Sequence, residues 1–557
     1  MNQSENRKKH KTIRALESKA KNKDINALFQ LAQYYEQGEY VEKDPEQAER
    51  YYVQALELFQ PQSLQLSSLK LTDFRVFDHL EIDFCHQYKH NSNLTVIIGN
   101  NGAGKTTILE ALAKSLSWLI NSIRSNKDSG TGLSIDQLDI NNNSIIGYSS
   151  IVCQFLITRE TQYELELSKS KVGSDSSRKS SLENIKQLAS IYKLAHSRND
   201  QYNFPIMAFY DIERAIEIDK KDTLPFDEIS EQKGWNKFAG YSKALNGSAD
   251  FQLFFRWFKH LEDLNNATGQ QNQSLLIAID KLQAELDSEL IKEMERQTTL
   301  DANITEFLRV LKQQKQKKIA QLKAQITEES SAQPSTIIKH ITEAIYQFMP
   351  GFSNLRIQRT PLSMLIDKDN VILNILQLSQ GEKSLLALVA DIARRLVLLN
   401  PSLDNPLQGK GIVLIDEIDL HLHPTWQQSV IPNLLSTFPN VQFIVTTHSP
   451  QVLTTVHHQC IRILTKGSVF NASANTFGEE SRTTLEDVMS VDSRPQDLMS
   501  QQLTNYLERI NRGDIESNDI SSLRTELEKH YGKDYSQLRL ADMAINRHLA
   551  IRKNKNI

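Results

Sequence analysis

The residues with the plainest capacity for chemistry are Gly99, Asn100, Asn101, Gly102, Ala103, Gly104, Lys105 and Thr106, with Thr107 directly behind them. They follow the apolar run Leu94-Thr95-Val96-Ile97-Ile98 and open a helical stretch, Ile108 to Ala113. Strand, glycine-rich turn and helix are the setting that a G-x-x-x-x-G-K-[ST] phosphate loop requires. The glycines let backbone N–H groups close around phosphate oxygens, and the helix start adds its partial positive charge. Lys105 would reach the β- and γ-phosphates, and Thr106 would ligate Mg2+. The pattern implies a nucleoside triphosphate site.

Three later stretches complete a set. Leu378-Ser379-Gln380-Gly381-Glu382 opens a second apolar helix, where Ser379 can cap the first turn and leave donors free for an anion. Gly381 there admits close approach of backbone to phosphate. Gly411 to Ile415 is an apolar strand that ends in Asp416 and Glu417. Asp416 would orient Mg2+ and its water, and Glu417 would polarise the attacking water. Val441 to Thr447 is a third apolar strand, ending in His448. Between them, His421 and His423 alternate in a way that suits a zinc pair, but no third ligand is in view.

Elements long enough to position these groups are available. The chain has 557 residues, 39% hydrophobic and 24% charged, which suits a multi-lobed globular protein. A net charge of −4 argues against wholesale nucleic-acid binding and leaves room for local basic patches. No stretch approaches the ~20 apolar residues of a membrane span. Met1 to Lys11 is basic without an apolar core behind it, and Cys85, Cys153 and Cys460 are far apart, so the expectation is a cytoplasmic protein. Five regions follow: helical 1–66, a lobe with the phosphate loop at 67–250, a helical arm at 251–335, a second lobe at 336–480 and a helical end at 481–557. In the arm, Lys312, Lys315, Lys317 and Lys318 are read as a solvated face or a nucleic-acid contact. Gln154, within a strand, and Asp211 and Arg214, after the strand Phe204–Phe209, are weighed for the loop that joins the lobes.

The order of these motifs resembles the SMC/RecF class of ABC-type ATPases, an OLD-like head with Walker A, signature, Walker B and switch histidine across roughly residues 67–460. The resemblance implies an α/β fold, a mixed sheet with flanking helices, binding ATP and Mg2+. It implies that Ser379, Gly381 and Glu382 meet the γ-phosphate held by an opposite subunit, so that ATP is sandwiched in a homodimer or larger homo-oligomer. His448 would then sense the γ-phosphate, and Arg75, in Asp73-Phe74-Arg75, would lie beside the nucleotide. Residues 24–60 resemble one Sel-like, tetratricopeptide-type hairpin, which must find a surface to pack on.

Past the head there is no apolar strand ending in D-x-D and no H-N-H pattern, so a nuclease within this chain is not expected. The tail from Thr484 to Leu527 resembles the C-terminus of PtuA-like ATPases of Septu systems, some of them retron-associated. That resemblance implies an HNH nuclease partner (PtuB-like) and a reverse transcriptase with its multicopy single-stranded DNA, in anti-phage defence. A RecF-like repair ATPase that binds DNA directly is the alternative.

Overall fold

The computed structural model describes residues 11–59, 64–84, 93–125, 130–157, 161–175, 178–212, 236–249, 251–286, 309–310, 312–322, 334–489, 491, 497–515 and 517–555. They fall into two compact units, 1–478 and 479–557.

The strands of the first unit are β1 (Gln65–Phe74), β2 (Phe77–Asp83), β3 (Leu94–Gly99), β4 (Tyr148–Leu156), β5 (Gln162–Ser170), β6 (Ile206–Tyr210), β7 (Phe352–Arg359), β8 (Leu362–Lys368), β9 (Val371–Asn374), β10 (Gly411–Ile415), β11 (Val441–Thr446), β12 (Ile461–Thr465) and β13 (Ser468–Asn471). Six form a central sheet in the order β13-β12-β3-β11-β10-β6. Its strands run parallel except for β13, antiparallel on the edge. β6, β10 and β11 are buried at every position, as expected of strands covered on both faces. The carboxyl ends of β3, β10 and β11 therefore sit side by side, where open parallel sheets place their ligands.

A four-stranded antiparallel sheet, β2-β1-β4-β5, faces the central one across the helix Lys105–Arg124, which packs on β3, β6, β10 and β11 as well as on β4. The buried Cys153 Sγ lies 3.1 Å from Ser115 Oγ at that junction. The third sheet, β7-β8-β9, has a β8–β9 hairpin turning on Asp369-Asn370, both at positive φ (49° and 67°). That is the two-residue loop whose twist suits a hairpin. The sequence patterning does not assign strands over 352–374, although the Asp-Asn turn chemistry is there to be seen.

At the front, helices Ile25–Gln37 and Pro45–Phe59 form the hairpin, and a further helix, Lys11–Lys21, joins them through Ile13 and Leu16. This hairpin packs on the rest of the first unit. Tyr163 Oη donates to Asn26 Oδ1 at 2.6 Å, Arg198 Nη2 to Glu49 Oε2 at 2.6 Å, and the Phe59 and Tyr192 rings meet edge on at 4.9 Å. Helix Phe251–Leu286 buries Phe254, Phe255, Trp257 and Phe258 early and continues as an arm. Leu290 and Ile291, read as part of that arm, lie outside the described residues. The second unit folds helices Leu498–Asn511, Asn518–Tyr531 and Ser536–Lys555 around Leu503, Tyr506, Ile510, Leu527 and Leu538.

Candidate nucleotide site

β3 ends at Gly99, and the chain turns through Asn100 to Gly104 into the helix that begins at Lys105. Gly102 (φ 77°) and Gly104 (φ 101°) hold backbone that disfavours a side chain. A Cβ on Gly104 would also stand 2.4 Å from the Phe77 ring. A Cβ on Gly102 would meet nothing within 4 Å, so open space lies in front of the loop. The first N–H groups of the helix have no intrahelical acceptor and face that space with the positive end of the dipole. Lys105 is buried and curls over its own loop, its Nζ donating to the Gly99 carbonyl at 3.1 Å and the Asn100 carbonyl at 3.4 Å. Burial holds its ammonium below the ordinary lysine range, against the pull of Glu417, Asp416 and Asp419. Thr107 points into the packing behind the loop and is buried.

The ends of β10 and β11 meet this loop. Thr106 Oγ1 donates to Asp416 Oδ2 at 2.6 Å, and Thr446 Oγ1 donates to Asp416 Oδ1. Asp416 is fully buried, and its N–H bonds the Tyr210 carbonyl at 2.7 Å. Thr446 Oγ1 in turn accepts the Glu417 N–H at 2.7 Å, fixing Glu417 at φ 43°. A non-glycine residue in that region stores strain, a frequent property of functional positions. His448 Nε2 stands 2.6 Å from Lys105 Nζ, and its backbone N–H lies 3.4 Å from Asp419 Oδ1. Lys105, Thr106, Asp416, Glu417 and His448 thus converge on one pocket. The donor set fits a hydrated divalent ion at Thr106 and Asp416, with phosphate in front of the loop. Thr446 and Asp419, the groups that orient Asp416 and the switch strand, are not singled out by sequence reasoning; two threonines before a strand-end histidine are the available signal.

The signature turn is built differently. Ser379 Oγ accepts the Glu382 N–H at 3.3 Å, and Glu382 Oε2 accepts the Ser379 N–H at 3.0 Å, a reciprocal capping box. Glu382 also pairs with Lys368 at 2.7 Å. Burial works against its charge, but the Lys368 ammonium and the Ser379 donors outweigh that and hold its carboxyl below the usual range. A Cβ on Gly381 would lie 2.4 Å from the His421 carbonyl. Gly381 therefore accommodates the backbone of its own chain at His421.

Arg75, at φ 50°, is gripped by Glu110 at 2.5 Å and Asp139 at 2.8 Å. Gln154 bridges Ser68 and Glu164 across the antiparallel sheet, each at 3.1 Å. Asp211 lies against Gly247, where an added Cβ would stand 2.7 Å from the Asp211 Cβ, and Arg214 is outside the described residues. His423 Nδ1 caps helix Pro424–Thr437 by accepting the Thr425 N–H, and the described residues hold no cluster of His, Cys, Asp or Glu fit for a metal by protein ligands alone. Lys315 pairs with Glu285 at 2.6 Å, and Lys317 and Lys318 are exposed.

One cluster is not anticipated by the motifs. On the signature helix, Asp391 accepts from Arg394 Nη2 and Arg395 Nε at 2.7 Å each and from Tyr210 Oη at 2.9 Å. Arg395 Nη1 reaches the Gly240 carbonyl at 2.7 Å. All of these side chains are buried. Burial opposes the Asp391 charge, but the two guanidiniums outweigh it and hold the carboxyl below its ordinary value. A D-x-x-R-R run inside an apolar helix is the signal that could have found it.

Comparison with known proteins matches residues 65–453 to the AAA ATPase domain family. The chain is 38% identical to "Retron Ec83 probable ATPase" of Escherichia coli, over 94% of each chain. It is 34% identical to "Retron Vc95 probable ATPase" of Vibrio cholerae over 86% of this chain and 88% of that one. A 73-residue stretch, 13% of this chain and 10% of the other, is 44% identical to "Septu protein PtuA" of Bacillus mycoides.

Proposed function

This chain belongs to the AAA ATPase domain family and is a PtuA-like ATPase of the retron type with an ABC-type head, and on that premise we propose that it binds and slowly hydrolyses ATP with Mg2+, pairs head to head through that ATP, and controls a partner HNH nuclease in anti-phage defence. The observation that carries the reading is the convergence of Thr106 on Asp416 at 2.6 Å and of Lys105 on His448 at 2.6 Å, beside the strained Glu417.

Thr106 and Asp416 would hold Mg2+, which supplies charge neutralisation on the phosphate oxygens. The loop N–H groups bind and align the β- and γ-phosphates. Lys105 Nζ transfers from the Gly99 and Asn100 carbonyls to phosphate oxygen, and His448 Nε2 is placed to follow it to the γ-phosphate. Glu417 accepts the proton of the attacking water as general base, held in line by the Thr446 hydroxyl. Ser379 and the exposed start of its helix are offered to the γ-phosphate of a second copy.

The retron names of two relatives support a reverse transcriptase and its multicopy single-stranded DNA as further members of the complex. No helix among the described residues is long and apolar enough to cross a membrane. Affinity purification of the tagged full chain from its host tests the partnership. Recovery of an HNH nuclease with a reverse transcriptase and short DNA is expected; recovery of the ATPase alone, with DNA-stimulated hydrolysis, contradicts it.

A further inference from the structure

The amino ends of β6 and β10 open on a cavity of about 310 Å3, at the far end of these strands from the nucleotide site. Its walls come from distant parts of the first unit. Phe59 ends the front hairpin, Tyr192 lies on helix Glu183–Arg198, Phe204 leads into β6, and Asn400 follows the signature helix Gln380–Leu399. A cavity of this size is within the range that takes small molecules. Rings make up much of the wall. Tyr192 meets Phe59 edge on at 4.9 Å and lies nearly parallel to Phe204 at 5.7 Å, and Tyr202 meets Phe204 edge on at 6.1 Å.

Set into this wall are polar groups that the fold itself does not use. Tyr192 is 4% exposed and Tyr202 9%, yet neither hydroxyl has a hydrogen-bond partner among the described residues. Neither is sealed in by protein, so both open on the cavity they line. Burial raises both above the ordinary tyrosine range, which keeps each a proton donor. Asn400, 2% exposed, donates its Nδ2 to the Leu396 carbonyl at 3.0 Å. A Cβ on Gly409 would stand 2.4 Å from that same nitrogen. The amide nitrogen is thus turned to protein, and Oδ1, without a partner among the described residues, is left to the cavity. Such groups cost free energy unless something in the cavity meets them. Lys410 is the one charged residue in the described lining, and it is already engaged.

We infer that this cavity is a second ligand site, for a neutral purine or pyrimidine base or its nucleoside, stacked on the aromatic wall and held at its edge by Tyr192, Tyr202 and Asn400. Stacking is open to any flat ring with a π-face. The edge of a base alternates donors and acceptors, which hydroxyls and an amide oxygen can match. An aliphatic ligand would leave these three groups dry, and a nucleotide's phosphates would lack a free cation. The site does not depend on how two heads pair. It does touch the machinery of the head. The Phe204 N–H bonds the Leu399 carbonyl at 2.9 Å, tying the wall to the signature helix, and β10 runs from beside the cavity to Asp416.

The test uses the purified full chain with its ATP site filled by a non-hydrolysable ATP analogue. Adenine, guanine, cytosine, uracil and their ribonucleosides are titrated into it by calorimetry, and at least one should bind. Tyr192→Phe and Tyr202→Phe should each weaken that binding about threefold to tenfold, the loss of one hydrogen bond. Because neither hydroxyl has a protein partner, both variants should melt within about 2 °C of the parent. Leu403→Trp, which fills the cavity from its lining, should abolish binding while the affinity for the ATP analogue stays within about twofold. Tighter binding of a base than of its ribonucleoside identifies the free base as the ligand, and the reverse identifies the nucleoside. No binding by any of these compounds, or binding that all three variants leave unchanged, overturns the inference and assigns the cavity to water alone.

Discussion

The phosphate-loop half and the signature half of the nucleotide site are made in opposite ways. In the first, polar and charged side chains are turned on one another: Lys105 on His448 and on loop carbonyls, Thr106 on Asp416. In the second, the side chains are committed to the chain's own shape: Ser379 and Glu382 to a capping box, Glu382 to Lys368, Gly381 to the His421 carbonyl. The first half is a set of groups that must rearrange around a ligand. The second is a rigid helix start made to be presented. On the head-to-head reading proposed above, a site divided this way would hydrolyse ATP only when a second copy completes it.

Substitutions can separate the two halves. The largest effect is expected at Glu417→Gln, which keeps size and hydrogen bonding and removes the base. Hydrolysis should fall by roughly 10² to 10⁴, with ATP affinity nearly unchanged. Measured turnover within threefold of wild type would remove Glu417 from the mechanism. On the signature side, Asp391→Asn leaves Arg394 and Arg395 buried without a counter-charge and should lower unfolding stability by about 3–5 kcal/mol in denaturant titration. The same cluster makes wild-type stability pH-dependent. Asp391 is held below its ordinary 3.8, so its contribution is complete above that value and is lost as pH falls through the lower folded-state value.

Gly381→Ala sharpens the contrast, because its Cβ would stand 2.4 Å from the His421 carbonyl. A cost of about 1–3 kcal/mol should be read in thermal unfolding, with hydrolysis lost and ATP binding by the monomer retained. Ser379→Ala should have the smallest effect on the fold, about 0.5–2 kcal/mol from loss of the cap, again with hydrolysis reduced more than binding. If Ser379→Ala weakened ATP binding by the isolated monomer, the two halves would not be separable as described.

The phosphate loop, the carboxylate pair and the switch strand are legible in the sequence because each is a short apolar strand ending in a distinctive polar group. Which of these strand ends meet is implied by the family resemblance of that order, and the sheet sets β3, β11 and β10 side by side. Residues acting through tertiary placement are not legible. The threonine pair before His448 does not say which hydroxyl holds both Asp416 and the Glu417 N–H, and nothing local marks Lys368 as the partner of Glu382. Packing adds a second reason for Gly381: besides the phosphate approach the motif implies, a Cβ there would crowd the chain's own His421 carbonyl. The two carboxylate partners of Arg75 lie 35 and 64 positions further on at Glu110 and Asp139, beyond any local pattern. The hairpin at the front needs a surface, and only the fold can supply it, through Tyr163, Tyr192 and Arg198.

The most direct test of the divided site is complementation between two inactive chains. Lys105→Ala disables the phosphate loop, and Ser379→Arg, at an exposed position, blocks the signature. Each alone should hydrolyse no ATP. If every site is completed by the opposite copy, mixed dimers hold one intact site, and an equal mixture should recover about a quarter of wild-type turnover. An equal mixture that stays inactive while mixed dimers are shown to form would contradict the account.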